Sequence, residues 1–435
     1  MKTTVLNSEF KKRLSLYTVG SMGSKALLFF LYPIATFYLS PEELGSFDYF
    51  FAIALIIYPF ISLNLTSGMY RYASHNRSES PQLIGTLITV FIPAAGVLLL
   101  LVPFMALWVP NWSFNPLLYG GFIWIFSFYE VYIQYVRGTG RTKLFVLSNL
   151  TVAVLTLSLS VVFLLFTSWK ASSLLIAYAI ARIVAIMGIE AKYRLLKWHV
   201  SSWRENCMRH TNNSLFATPP TGLFALGVID SWSRLFITQM VGTEANGMFA
   251  ISLKIASIFF FLTSIYQLAW HETVLRTEKE RLSTLFSSHF NNYLILLAIG
   301  GLLFFLVSYI AYPYMVDIRF LEGRVYLFPM IVGYILLSLA HFLGIGYDYY
   351  YKTTWMTISS VVAMGLSLVL NLLFIPWWGV AGCLYATILA YLVLFLFRLV
   401  YLNEYIRIHL TRKGSIAILL ILFSVVIYLL RTTYV

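Results

Sequence analysis

The sequence of 435 residues is poor in cysteine and in charge. It contains two cysteines, and only 11% of its residues are charged. Cys207 falls in a basic connector and Cys383 in an apolar run, which argues against a disulfide framework and against a cysteine metal cluster. A soluble domain carries about 25% charged residues. The scarcity of charge therefore argues against a soluble protein.

Apolar residues, in contrast, make up 60% of the chain, and the mean hydropathy is +0.81. Runs of about 20 apolar residues recur along the whole length, which is what a helix needs to cross a bilayer. Strands of a membrane barrel give shorter, alternating segments. The sequence thus predicts an all-α polytopic membrane protein with spans at residues 15–39, 46–70, 83–108, 116–137, 144–167, 172–191, 214–241, 247–271, 291–313, 325–346, 353–374 and 380–402, and a thirteenth candidate at 414–431.

Lysine and arginine are distributed unevenly over the predicted loops. If the N-terminus is cytosolic, the inward loops carry 22 of these residues and the outward loops carry three, Lys170, Arg319 and Arg324. Loops rich in lysine and arginine stay on the cytosolic side, so we expect a cytosolic N-terminus. The net charge of +13 then reflects topology and contact with membrane lipids, and nucleic acid is not an expected partner.

The longest inward connector lies near the middle of the chain and separates two sets of six spans. Because six is even, both sets enter the membrane in the same direction and form a parallel repeat. Residues Leu39–Gly45 resemble the polar turn that ends at Gly247, at an offset of 202. We predict two six-helix lobes around a central cavity, with boundaries at 1–195 for the N-terminal lobe, 196–213 for the basic connector, 214–402 for the C-terminal lobe and 403–435 for a tail.

Four basic side chains are predicted to lie within the bilayer. An ionisable side chain at the bilayer centre costs at least about 2.5–3.5 kcal/mol, and such residues usually face the interior of a helix bundle. One interpretation is a cationic cavity that accepts an anionic head group. The alternatives are pairing with carboxylates and snorkelling along the flexible side chain. The candidates are Lys25, Arg182, Arg234 and Lys254.

Three titratable residues are candidates for coupling transport to a proton or another ion. Asp230 lies four residues before Arg234 on one helix face, so a permanent ion pair between them is an equally good interpretation. Glu130 begins a polar stripe toward the cytosolic end of its span, which a solvated helix end explains as well. His341 could relay protons, although a lone histidine is more often a hydrogen-bonded core residue.

Patterns that carry catalysis or bind cofactors were not found. The sequence has no metal-ligand spacing, no credible nucleophile–base pair and no paired acids of the glycosidase or glycosyltransferase kind. We therefore predict a protein that is not an enzyme, without a cofactor and without a metal site.

Several motifs together resemble bacterial polysaccharide flippases. These are the O-antigen translocases of the multidrug/oligosaccharidyl-lipid/polysaccharide exporter superfamily. The matching segments keep their order over nearly the whole chain. They are Ser24-Lys25 with Pro33 and Tyr38–Asp48; Arg71-Tyr72; Arg137–Lys143; Asp230 to Arg234 with Gly242, Gly247 and Lys254; and Asn371 to Pro376 with Gly379 and Gly382.

This resemblance implies a bundle of two lobes that alternates between inward-open and outward-open states in the bacterial cytoplasmic (inner) membrane. Its substrate would be an oligosaccharide linked to undecaprenyl pyrophosphate, moved to the outer leaflet with coupling to H⁺ or Na⁺. Polysaccharide assembly proteins are candidate partners. The alternatives are a multidrug or other lipid exporter of the same superfamily, and an O-antigen polymerase or ligase. Family members have twelve or fourteen spans, and the thirteenth candidate departs from that number.

Overall fold

The computed structural model describes residues 23–62, 65–75, 80–108, 114–196, 221–275 and 277–418. The connector from 197 to 213, Cys207 and residues 419–431 of the thirteenth candidate lie outside the described residues. The described part consists of helices and connecting segments without a strand, which confirms the all-α prediction. Eight of the described helices are long and apolar enough to cross a membrane.

The helices follow the predicted spans closely. We number them α1 (23–36), α2 (Pro41–Ile61), α3 (Leu65–His75), α4 (Ser80–Trp108), α5 (Pro116–Gly138), α6 (Thr142–Phe166), α7 (Ala171–Tyr193), α8 (Thr221–Met240), α9 (Thr243–Leu275), α10 (Lys279–Met315), α11 (Leu327–Tyr349), α12 (Thr353–Leu402) and α13 (412–418). A 3₁₀ helix, Ile318–Tyr326, precedes α11. Within α12 the helix is broken at Gly379, whose φ of 54° and ψ of −133° are not helical, and the predicted boundary between the last two spans is confirmed.

The predicted single span 46–70 is wrong, because the chain forms two helices there. Helix α2 ends at Ile61, Ser62 lies in a turn, and α3 begins at Leu65. The amide of Leu65 donates to the carbonyl of Ser62 at 2.9 Å. Pro59 sits in the last turn of α2 and cannot donate the usual backbone hydrogen bond, which weakens the helix just before the break.

The chain divides into two compact units. The first unit takes Met1–Leu39 and Phe50–Pro220, and the second takes Ser40–Tyr49 and Thr221–Val435. The short segment 40–49 thus belongs with the C-terminal part of the sequence, although it lies in the predicted N-terminal lobe. Helix α2 begins in the second unit and ends in the first.

In the first unit, small side chains let neighbouring helices approach closely. Helix α6 buries Ser148, Val152, Thr156 and Ser160, which recur every four residues along one face. The facing helix α7 buries Ala177, Ala181 and Ala185 at the same spacing. Helix association in lipid depends on close packing of this kind, since lipid tails are as apolar as leucine.

In the second unit, α11 forms the centre. It packs against α9, α10 and α12, and 89% of its most apolar window is buried. The other helices keep large apolar side chains exposed, for example Leu303 on α10 and Val400 on α12. This distribution is expected of a central helix surrounded by helices that face lipid.

The two repeated segments begin helices that cross inside the second unit. Ser40 caps α2 reciprocally: the amide of Glu43 donates to Ser40 Oγ at 3.2 Å, and the amide of Ser40 donates to Glu43 Oε2 at 3.0 Å, as in a capping box. The predicted polar turn up to Gly247 is wrong beyond Gly242, since α9 already begins at Thr243. Both copies of the repeat are therefore first helical turns.

Glycine is required where these two helices cross. A Cβ on Gly45 would lie 1.8 Å from the carbonyl oxygen of Thr243, and a Cβ on Gly247 would lie 1.9 Å from that of Pro41. Asn246 adds a hydrogen bond from its Nδ2 to the carbonyl of Gly45 at 2.9 Å. The crossing brings the first turns of α2 against α9, and this contact positions Asp48.

Candidate functional site

A buried ion pair joins α2 and α8 within the second unit. Arg234 Nη1 lies 3.3 Å from Asp48 Oδ1, and the two side chains are 6% and 0% exposed. The guanidinium of Arg234 also donates from Nε to the backbone carbonyl of Asp230 at 3.2 Å. The sequence predicted that Arg234 and Asp230 share a helix face. The structure adds Asp48, 186 residues away in the chain, as a carboxylate partner.

Asp230 lines a small, mostly apolar cavity in the same unit. Its Oδ1 accepts a hydrogen bond of 3.0 Å from the hydroxyl of Tyr391 on α12. The hydroxyls of Ser233 and Thr387 lie 3.4 Å apart at the same cavity. The cavity measures about 20 Å³, which is enough for one water molecule. Tyr334 also lines it, together with apolar side chains such as Phe249 and Leu253, so the carboxylate has a few hydroxyl groups near it in a mostly apolar surrounding.

Lys254 on α9 completes a cluster of four charges. It interacts electrostatically with Asp48, Asp230 and Arg234, and it lies eleven residues into α9, roughly 16 Å from the start of that helix. Two cations and two carboxylates give this cluster a formal charge of zero. We call Asp48, Asp230, Arg234 and Lys254 the charge cluster.

The first unit contains a second ion pair at the predicted positions. Arg182 Nη2 lies 3.5 Å from Glu130 Oε1, and the two side chains are 6% and 33% exposed. The guanidinium is covered by three aromatic rings, those of Phe126, Tyr178 and Tyr129, at 4.7, 5.3 and 5.6 Å from its carbon to the ring centroids. Such cation–π contacts strengthen when water is excluded. Arg182 and Glu130, predicted as separate candidates, therefore form one pair.

The remaining predicted residues lie apart from these groups. Lys25 is exposed on α1 in the first unit. His341 on α11 contacts the ring of Phe260 edge to face, with 5.7 Å between ring centroids. Tyr334, seven residues before His341 on α11, stacks on the same Phe260 ring. Asp348, seven residues after His341, pairs with His271 at 3.6 Å.

Sequence reasoning missed two buried charges. Asp48 lies outside the predicted centre of its span because the helix begins five residues earlier than predicted. The signal was available, since Asp48 closes the motif Tyr38–Asp48, which also contains Gly45. Arg398 was counted among the 22 cations of the inward loops, although it falls within the predicted span 380–402. It lies inside α12 and is 1% exposed. Its guanidinium donates to Ser359 Oγ at 3.1 Å, to Ser360 Oγ at 3.0 Å and to the carbonyl of Ala340 at 2.9 Å.

The charge cluster holds cations and carboxylates against one another. A carboxylate that takes up a proton releases the cation it held, and that cation can then attract another anion. Within the described residues, no group of three or more histidine, cysteine, aspartate or glutamate side chains is arranged to hold a metal ion. The charged side chains of the cluster can bind ions and protons.

Comparison of the sequence with protein-family models and with curated proteins gives no match. Solved structures, however, resemble this chain over most of its length. A multidrug resistance MATE family transporter of the MOP superfamily, in an inward-facing conformation, matches with a TM-score of 0.68 at 13% identity over 90% of this chain and 98% of that chain.

Two further transporters match with lower scores. A MOP superfamily transporter from Pyrococcus furiosus has a TM-score of 0.57 at 13% identity, over 90% of this chain and 95% of that chain. A mutant of the Vibrio cholerae MATE transporter VcmN has a TM-score of 0.51 at 16% identity, over 93% and 100%. The protein thus has the fold of MATE transporters of the MOP superfamily, and it is a multi-pass membrane protein.

Proposed function

We propose that the protein is a flippase for a lipid-linked oligosaccharide. Its substrate would carry a pyrophosphate on an undecaprenyl chain and would be an O-antigen or similar repeat unit of a surface polysaccharide. The protein would move this substrate to the outer leaflet of the bacterial cytoplasmic membrane by alternating access. The N-terminus would be cytosolic, as the bias of lysine and arginine indicates.

The observation that carries this proposal is the pairing within the charge cluster. Arg234 and Lys254 interact electrostatically with each other and with two carboxylates. A pyrophosphate offers two negative charges close together, like Asp48 and Asp230, and can replace them as the partner of the two cations. Arginine and lysine both bind phosphate oxygens, arginine in a bidentate manner.

Exchange of this kind would also couple transport to the binding of a proton or another ion. If Asp230 takes up a proton, its negative charge no longer competes with the pyrophosphate for Arg234 and Lys254. The hydroxyls of Tyr391, Ser233 and Thr387 around the cavity can pass a proton or contact a small cation. Glu130 in the first unit is a second candidate for this role, because its carboxylate is partly exposed while Arg182 is buried.

The charge of a pocket is a reasonable guide to substrate within this fold. For the Pyrococcus furiosus transporter, a binding pocket of reverse polarity suggests a different function. In the present chain the predicted cavity residues Lys25, Arg182, Arg234 and Lys254 favour an anionic head group. Lys25 is exposed on its helix, whereas Arg182 is buried beside Glu130, so Lys25 is the more accessible cation of the first unit.

The test is complementation of a host that lacks its own flippase. Wild type is compared with Lys25→Ala, Asp230→Asn and Arg234→Ala at matched membrane levels, and surface polysaccharide and inner-leaflet precursor are measured. We expect wild type to restore surface polymer and the cation variants to leave precursor on the inner leaflet. Failure of wild type with every tested precursor would reject the flippase. If the substitutions change neither surface polysaccharide nor precursor, the proposed substrate site is rejected, but the flippase function is not.

One observation favours a second function, export of cationic drugs. The lining of the cavity beside Asp230 combines a carboxylate with the rings of Tyr334 and Tyr391. If the cavity, which now has room for one water molecule, widens during transport, these groups can bind an organic cation. Several of the matching structures are of multidrug transporters. Resistance to cationic drugs in a sensitive strain that expresses the protein, and its loss in Asp230→Asn, would support this function over the first.

A further inference from the structure

A segment after α12 is held against α10 by hydrogen bonds from side chains. Residues 407–411, which we call the strap, are not helical. Ser283 Oγ donates to the carbonyl of Arg407 at 2.6 Å, and the amide of His409 donates to Ser287 Oγ at 3.0 Å. Ser283 and Ser287 are one helical turn apart, so α10 contacts the main chain of alternate strap residues.

Asn291, one turn further along α10, fixes the end of the strap. Its Nδ2 donates to the carbonyl of His409 at 2.9 Å, and its Oδ1 accepts from the amide of Thr411 at 2.9 Å. A Cβ on Gly414 would lie 2.0 Å from Asn291 Oδ1, so glycine allows the following helix to start against the same side chain. The strap therefore has a defined position on the protein.

The strap and the residues after it present three basic side chains to the surroundings. Arg407, Arg412 and Lys413 are exposed, and none of them forms a salt bridge within the described part of the chain. Two apolar side chains alternate with these cations: Leu410 is 53% exposed and Ile416 is 48% exposed. A surface that mixes cations with exposed apolar groups is typical of contact with a membrane interface.

The position of the strap relative to the apolar helices indicates the same environment. On α12 the exposed apolar side chains end at Val400, which is 64% exposed, seven residues before the strap. On α10 the exposed large apolar side chains begin at Leu296, after the three residues that hold the strap. The strap thus lies just past the apolar stretch of both helices, where hydrocarbon gives way to phosphate head groups.

We propose that the strap, together with the residues that follow it, binds the phosphate of an anionic lipid head group. Arg407, Arg412 and Lys413 contact the phosphate oxygens, and Leu410 and Ile416 enter the acyl region beside it. This proposal does not depend on the substrate that the protein transports. Each basic residue near an anionic surface raises affinity about fivefold, so removal of all three is expected to weaken binding roughly 100-fold.

The experiment uses the purified full chain in neutral detergent and native mass spectrometry. The probe is phosphatidylglycerol, with phosphatidylcholine as the neutral comparison. The variant R407A/R412A/K413A is compared with K143A/K192A/K352A, which removes the same number of exposed cations elsewhere. A third variant, Asn291→Ala, keeps every charge but removes the hydrogen bonds that position the strap.

We expect the strap variant to lose bound phosphatidylglycerol, the control variant to keep it, and Asn291→Ala to weaken it several-fold. Equal loss in the strap and control variants would mean that bulk charge alone attracts lipid, and the proposal would fall. It would also fall if inorganic phosphate displaced the lipid at equal concentration, because the site would then bind a soluble anion.

Discussion

The two units hold a buried arginine in different ways. In the first unit, Arg182 lies under three aromatic rings, and its carboxylate partner Glu130 is 33% exposed. In the second unit, Arg234 and its partner Asp48 are both almost fully buried, and Asp230 and Lys254 lie close by. The carboxylate of the first pair is therefore partly accessible, whereas neighbouring groups enclose both members of the second pair.

Under the proposed function, this difference would divide two tasks between the units. A partly exposed carboxylate such as that of Glu130 is suited to meet ions or protons. A buried cluster of opposite charges is suited to hold one arrangement until a ligand or proton replaces a member. Four substitutions test the comparison, and they are given from the largest expected effect to the smallest.

Removal of the buried cation Arg234 in the second unit should lower the free energy of unfolding most. Arg234→Ala leaves Asp48 buried without that guanidinium, and breaking a buried pair by removing one partner costs about 3–5 kcal/mol. The free energy of unfolding in mixed detergent micelles measures the effect. The double variant Arg234→Met with Asp48→Leu should recover part of the loss, because no charge is then left uncompensated at this position. A loss below about 1 kcal/mol for Arg234→Ala would contradict the role given to burial.

Displacement of α2 should cause the second-largest loss in the free energy of unfolding. Gly45→Ala places a Cβ 1.8 Å from a backbone carbonyl oxygen, and overpacking of this kind costs about 1–3 kcal/mol. Asp48 lies one turn further along α2, so the pair with Arg234 should weaken as well. The matched control is Gly365→Ala in α12, where a Cβ meets nothing within 4 Å. It should leave the free energy of unfolding unchanged or raise it slightly.

Replacement of the buried arginine by alanine should lower the free energy of unfolding less in the first unit than in the second. Arg182→Ala removes cation–π contacts and packing, with an expected loss of about 1–2 kcal/mol. Glu130 is partly exposed and can be hydrated once Arg182 is gone. The same unfolding titration compares the two variants. If Arg182→Ala proves as costly as Arg234→Ala, partial exposure of the carboxylate does not matter and the comparison fails.

The ion pair between Asp317 and Arg319 at the surface should give the smallest of the four effects on the free energy of unfolding. The pKa of Asp317 is lowered by the side chain of Arg319, whose Nε donates to Oδ1 at 2.7 Å, and by the backbone amide of the same residue. Because the folded pKa is depressed, the contribution to stability is present above the ordinary aspartate pKa and is lost as the pH falls through the folded value. Asp317→Asn should cost about 0.5 kcal/mol or less at neutral pH. It should also flatten the change in stability measured below about pH 4.

The positions of the helices could be predicted because apolar runs of the right length are bounded by polar segments. Helices α5 and α6 begin and end within two residues of the predicted spans. Helix α10, in contrast, begins twelve residues before its predicted span, because hydropathy reports where a helix is apolar and not where it starts. The break after Ile61 was missed because both sides of it are apolar.

The candidate site could be predicted only in part. Arg182, Arg234 and Lys254 were found because charges in apolar runs are conspicuous. Their partners could not be predicted in the same way, since Asp48 and Arg234 are 186 residues apart. The periodicity of a helix does not indicate which other helix it faces. Arg398 was missed because it lies near the end of an apolar run, where a cation is expected to be in the loop.

The crossing of Gly45 with Gly247 has a consequence for the order in which the protein is made. Residues 40–49 emerge from the ribosome early, but the groups that they contact in the second unit emerge about 200 residues later. Folding during synthesis generally proceeds from the N-terminus. Here the start of α2 can reach its final packing only after later helices have been synthesised. Until α8 and α9 have been inserted, Asp48 has neither Arg234 nor the close helix crossing. The first part of the chain is therefore expected to complete its structure only when more than half of the chain has been synthesised.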